Sequence, residues 1–202
     1  MLLSVKKRKT YLKFLGYYKG TIDSKKNKEL TKAYLHLQKD YFFNKEDMDS
    51  IYGPDTDILL ESVYNVKKYS KNFDIKKDKM YCRCKGKYCT GYPAVIDANL
   101  VKNLQAIRDK FGSTKITSLL RCKKWNSLQP GASKTSKHIS GKAVDFQTKV
   151  SSSLSGRKDM INYWFKLTKP NYGYCNGYYK SRWSKGTKIS KGMGASTHCD
   201  VR

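Results

Sequence analysis

In "SKTSKHISGKAVDF" (residues 133–146) a histidine stands seven positions before an aspartate, with Gly141 between them. Glycine tolerates the positive φ of a tight turn, and the run that follows, "KAVDFQTK" (142–149), reads as a strand. A turn centred on Ser140 and Gly141 therefore predicts a hairpin whose returning strand carries Asp145 back beside His138. The flanks have the same mixed texture. "KITSLL" (115–120) and "STHCDVR" (196–202) read as further strands. "DANLVKNLQAIRDKFG" (97–112) reads as a helix: Asp97 caps it, Leu100, Val101, Leu104, Ile107 and Phe111 form one stripe, and Gly112 stops it. "DMINYWFKLT" (159–168) reads as another, closed by Pro170. Residues 81–202 are thus expected to form an α+β unit, a mainly antiparallel sheet flanked by helices.

The chain has three histidines. Two of them, His138 and His198, fall in or beside predicted strands, and His198 on the C-terminal strand would complete a His138, Asp145, His198 set. Two imidazoles with one carboxylate suit zinc over magnesium or calcium. Three protein ligands leave the fourth tetrahedral position of one zinc ion for water, as hydrolysis requires. Asp200 follows His198 by two residues, and on an extended strand both side chains face the same way. Its carboxylate could then move a proton at the site or support the imidazole of His198. His36 lies on a helix of the first domain and reads as an ordinary solvated side chain.

Residues 1–66 read as a small three-helix bundle. "TYLKFLG" (10–16) puts Leu12 and Leu15 on one side of a short helix that Gly16 can end in the left-handed conformation. Leu30, Ala33, Tyr34, Leu37 and Tyr41 follow a helical stripe. "GPDTDILLESVYNV" (53–66) opens a third helix with Pro54 in its first turn and Ile58, Leu59, Val63 and Val66 as its buried face. "IDSKKNKELT" (22–31) and "MDSIYGPDT" (48–56) echo each other, so the unit reads as an internal duplication. "KKYSKNFDIKKDKM" (67–80) is lysine-rich and without periodicity, which predicts a linker.

Two resemblances arise from these residues. Leu15, Gly16, Tyr17, Tyr18, Gly20, Ile22 and Asp23, then Asp49, Ile51, Gly53, Pro54 and Thr56, resemble the paired motifs of peptidoglycan-binding modules, with Asn27 in place of a usual loop glycine. Ser136, His138, Gly141, Ala143 and Asp145 match the S-x-H-x-x-G-x-A-x-D motif of the zinc D-Ala-D-Ala carboxypeptidases and L-alanyl-D-glutamate endopeptidases, which share a fold with the hedgehog signalling domain. The resemblance implies a zinc peptidase over 81–202, with His138, Asp145 and His198 as its metal ligands. It also implies that Arg121, in "LLRC", meets a carboxylate of the peptide substrate, a task suited to a planar guanidinium. Two positions depart from the family pattern. Leu119 and Leu120 replace Gly-Tyr before the arginine, and Ala195 stands where an acid commonly serves as general base.

Forty-two Lys and Arg against 16 Asp and Glu give a formal charge of +26, so polyanionic partners are expected. With the resemblances, these are peptidoglycan and anionic wall polymers, and the expected activity is that of a modular peptidoglycan hydrolase of the phage endolysin kind. A basic nucleic-acid-binding protein with a structural metal, or a noncatalytic wall binder, are the alternatives. Against the former, the basic residues are not gathered on one helix face and no nucleic-acid motif is seen, so nucleic acid is not the expected partner. No apolar run is long enough to span a membrane, and "MLLSVKKRKTYLKFLG" (1–16) reverses the order of a secretory signal. A monomer made in the host cytoplasm and acting on the wall after membrane permeabilisation is the expectation. Six cysteines, three of them in "YCRCKGKYC" (81–89), leave thiol, disulfide and second-metal states open. The residues do not choose which wall peptide bond is cut.

Overall fold

The computed structural model describes residues 1–202, apart from the side chain of Lys191. Among the described residues there are six α-helices and one six-stranded antiparallel sheet, the α+β class expected. In the first third, side chains satisfy the free N–H groups at helix starts. Ser4 Oγ accepts from Lys7 N ahead of α1 (Val5–Phe14), and Asn27 Oδ1 accepts from Leu30 N at 2.8 Å ahead of α2 (Lys28–Tyr41). α3 (Pro54–Tyr69) opens on Pro54, which has no N–H to leave unpaired.

The echo between 22–31 and 48–56 has a physical counterpart. Asp23 Oδ1 accepts from Lys25 N at 2.9 Å and from Lys9 Nζ, buried on α1, at 2.7 Å. Asp49 Oδ1 accepts from Ile51 N at 2.8 Å and from Gln38 Nε2, buried on α2, at 3.0 Å. Each aspartate closes a turn and ties it to the preceding helix. The buried face of α3 differs from the expected one: Leu59, Leu60, Val63 and Val66 are buried, whereas Ile58 is only half-buried. The helix is turned so that Ser62, also buried, receives Ile96 N at 3.0 Å, while Asn65 Nδ2 donates to Ile96 O at 2.9 Å.

Residues 67–80 do not run as a solvated connection. α3 takes Lys67 to Tyr69, and Phe73, Ile75 and Met80 are buried. The run lacks periodicity because turns shape it, with Asp74 Oδ1 accepting from the N–H groups of Lys76 and Lys77. One hydrophobic core extends from Leu12 to Val201.

α4 (Ala98–Phe111) is capped by Asp97 and ended by Gly112 as expected. β1 (Thr114–Ser118), α5 (Lys123–Ser127), β2 (Ala143–Thr148), α6 (Leu154–Trp164), β3 (Pro170–Cys175), β4 (Tyr178–Ser181), β5 (Lys185–Gly186) and β6 (Thr197–Val201) follow. α6 begins earlier than expected because Ser153 Oγ caps it by accepting from Gly156 N. The strand order is β1-β2-β6-β3-β4-β5, so the last strand inserts between β2 and β3. The expected hairpin around Gly141 does not form. Residues Lys137–Ser140 make a 3₁₀ turn, Gly141 closes it at φ +68°, and Asp145 lies on a strand paired to β1 and β6. The turn has its own internal bond, Lys142 N to Lys137 O at 3.0 Å.

Candidate metal centre

Side chains alternate across a strand, and the register aligns Ser118 of β1, Asp145 of β2, His198 of β6 and Tyr174 of β3 in one row. Phe146, next to Asp145, points the other way and stacks on Trp164 of α6. The row therefore lies on the sheet face away from α6. His138 reaches it from the 3₁₀ turn, held by Arg121 N donating to its carbonyl at 3.1 Å.

The bonds fix each ring. His138 Nδ1 lies 2.6 Å from Leu119 O. A carbonyl only accepts, so Nδ1 carries the proton and the Nε2 lone pair is left facing Asp145 Oδ1, 3.3 Å away. His198 Nδ1 lies 2.8 Å from that same Oδ1. Arg121 Nη2 donates to the other oxygen, Oδ2, at 2.9 Å and its Nε to Ser118 Oγ at 3.1 Å. On the opposite edge of the His198 ring, Nε2 is 3.5 Å from Asp200 Oδ2. Asp200 Oδ1 accepts from Asn171 Nδ2 at 2.8 Å and from Tyr172 N at 3.0 Å. Tyr174 stacks on His198 with ring centroids 4.6 Å apart.

His138, His198 and Asp200 are all buried, which sets the electrostatics. Burial pushes His138 down, with the Asp145 charge opposing, so its neutral form is favoured. Burial alone would raise the Asp145 carboxyl, but its contacts with the His138 and His198 rings outweigh it and hold it well below the usual carboxylate range. Burial would lower His198, but hydrogen bonds to Asp145 and Asp200 outweigh it and raise it. Tyr174 is pushed up to about 12, first by burial and then by the Asp145 charge, and stays a neutral phenol.

His138, Asp145 and His198 each offer a ligand atom, and these atoms lie within 4.8 Å of one another. Tetrahedral zinc with ligands at about 2.0–2.1 Å spaces them about 3.3 Å apart, and the two contacts to Asp145 Oδ1, 3.3 and 2.8 Å, are close to that. The donor set fits zinc. Arg121 and Asp200 sit at the same site, Arg121 on the free oxygen of Asp145 and Asp200 behind the ring of His198. His36 is exposed on α2, away from it.

Several contributors were not legible in the sequence. The Leu119 contribution is a backbone carbonyl, which is why a leucine there in place of glycine leaves the contact to His138 intact. Tyr174 is one of 16 tyrosines, and nothing local distinguishes it. Asn171 matters only because β3 pairs beside β6. A groove of about 370 Å³ runs between Val63 and Val66 of α3 and residues 71–78, away from the histidines.

A family model described as Peptidase M15 matches residues 72–161. Searches of curated proteins and of solved structures find no match. The matched stretch holds Arg121, His138 and Asp145 and ends before β6 supplies His198. M15 peptidases are zinc-dependent, and the match, a little under half of the chain, supports a metallopeptidase of the M15 type.

Proposed function

We propose that this chain is a zinc peptidase that cleaves a peptide bond of the bacterial cell wall, used as a phage endolysin, with residues 1–66 as its wall-binding part. The observation that carries the reading is the convergence of His138 Nε2, Asp145 Oδ1 and His198 Nδ1, with Arg121 on the remaining Asp145 oxygen. Zinc bound there would supply a Lewis acid for the scissile carbonyl and acidify a water molecule. The Leu119 carbonyl holds His138 in the tautomer that presents Nε2. Arg121 orients Asp145 by holding its second oxygen, and its remaining donors suit a carboxylate of the substrate. Tyr174, a neutral phenol, packs on the His198 ring and helps hold it in place. The positive chain charge concentrates the enzyme on wall carboxylates and phosphates, an attraction that salt weakens. The test uses purified Gram-positive walls. Turbidity should fall, new amino termini should appear in the released muropeptides, and a chelator should abolish both. Clearing that persists in chelator would refute the zinc reading, and mass spectrometry of the fragments names the bond.

Asp200 acts in this reading through His198. Both of its oxygens are already engaged, and the imidazole stands between it and the other ligands. Asp200→Asn keeps the acceptor for Asn171 but removes the charge facing His198 Nε2. Zinc affinity should drop by about 10–100-fold, the usual effect of losing such a support, while kcat at saturating zinc is largely kept. Unchanged zinc affinity with a collapsed kcat would instead make Asp200 the proton carrier. Competition against a chromophoric chelator, run beside turnover, separates the two.

A further inference from the structure

A second cluster lies outside this site. The sulfurs of Cys82, Cys84, Cys89 and Cys122 lie within 4.8 Å of one another. Three come from one irregular loop and the fourth from the start of α5, so the sheet and the loop must fold together to gather them. We propose that these four cysteines hold a second zinc ion as thiolates, a structural site distinct from the His138, Asp145, His198 centre.

The spacing suits one metal ion. Zinc–sulfur bonds of about 2.3 Å make a tetrahedron whose sulfurs are about 3.8 Å apart. Cys84 and Cys89 are 3.4 Å apart, and the whole set stays inside 4.8 Å. All six cysteines are free. An iron–sulfur cluster, whose inorganic core sits among its thiolates, would need them farther apart. Backbone donors already face the sulfurs: Cys122 N donates to Cys82 Sγ and Trp125 N to Cys122 Sγ, each at 3.3 Å. Such N–H groups stabilise a thiolate. The loop also turns back at both early cysteines, with Lys85 N bonding Cys82 O and Lys87 N bonding Cys84 O, each at 3.1 Å. On binding, the four thiols give their protons to solvent. Four thiolates around Zn²⁺ leave two negative charges, and Arg83, Lys85, Lys87, Lys123 and Lys124 flank the ligands in the sequence to balance them.

The location gives the site a consequence for the first centre. Cys122 directly follows Arg121, whose N–H holds the His138 carbonyl and whose guanidinium holds Asp145. Leu119, three residues earlier, orients the His138 ring. Arg83, between two of the cysteines, donates to Ile116 O and Thr117 O of β1. A metal closing the four sulfurs would fix this segment at both ends of the arginine's reach.

The test reads metal, not activity, on the full-length chain loaded with zinc and desalted. The wild type should contain two zinc ions, and His138→Ala should keep one. X-ray absorption on His138→Ala should then show only sulfur neighbours, at about 2.3 Å. Cobalt in place of zinc in that variant should give an intense thiolate-to-cobalt charge-transfer band. Adding Cys89→Ser should weaken the band, because one of the four thiolates is lost. A wild type with one ion and no sulfur neighbours would overturn the proposal, as would a Cys84–Cys89 disulfide found by mass spectrometry. Wild-type absorption needs no variant to fold. It also keeps the two readings apart, because failure of the His138 centre alone would leave one ion with a pure sulfur shell.

Discussion

His138→Ala is expected to lower wall-peptide cleavage by about 10³-fold, the scale of loss when a group stabilising charge at a reacting centre is removed. The reason is ligand count. His138 Nε2 is one of three converging atoms, and two ligands do not hold a hydrolytic zinc at working concentrations. Truncation also leaves the buried Leu119 carbonyl without its partner, which costs about 1–3 kcal/mol of stability. Lost activity could therefore reflect partial unfolding, and a thermal melt recorded with the assay removes that ambiguity. Asp145→Asn is the complementary variant: it preserves shape while leaving Arg121 facing a neutral amide. Both variants should lose zinc from this centre and lytic activity together, with the secondary structure retained. A folded His138→Ala protein that still cleared walls would end the assignment.

Gly141→Ala should be the most damaging single-methyl change. Gly141 sits at φ +68°, and a Cβ there would lie 2.0 Å from the Val95 carbonyl oxygen. That neighbour is backbone, so no rotamer change relieves it. The left-handed conformation costs a non-glycine residue about 1–2 kcal/mol, and forcing the turn away from Val95 costs about 1–3 kcal/mol or more. The Tm should fall by about 5–15 °C for a chain of this size. The displaced turn also carries His138, so zinc affinity should fall with stability. Gly16→Ala is the control: its φ is +86° and nothing lies within 4 Å of the added carbon. It should show the conformational cost alone, with zinc binding unchanged. Equal melting losses in the two variants would mean that the Val95 contact is not what makes Gly141 necessary.

The helices were the most readable part of the chain, because a helical stripe and its caps are local. Asp97, Leu100, Leu104, Ile107 and Gly112 announce α4 without reference to anything distant. β3, β4 and β5 were not read. Their sequences, "PNYGYC", "YYKS" and "KG", show no clean alternation, because most of their side chains are half-buried and tyrosines occupy both faces. The α3 face was read one residue off, since Ser62, a polar residue, takes a buried place by binding a backbone N–H.

The sequence alone singled out the candidate donors of this centre, because two scarce histidines and an aspartate stand in a spaced motif. Strand spacing offered Asp200 and the family resemblance offered Arg121 as their companions. Only the tertiary structure decided which atom faces which. Inserting β6 between β2 and β3 puts His198 opposite Asp145, turns one ring nitrogen toward the ligands and the other toward Asp200, and sets Tyr174 alongside. The same long-range closure gathers Cys122 with three cysteines from a loop some forty residues earlier. Strand order and loop closure are set by burial summed over the whole chain, and no local pattern of residues encodes that sum.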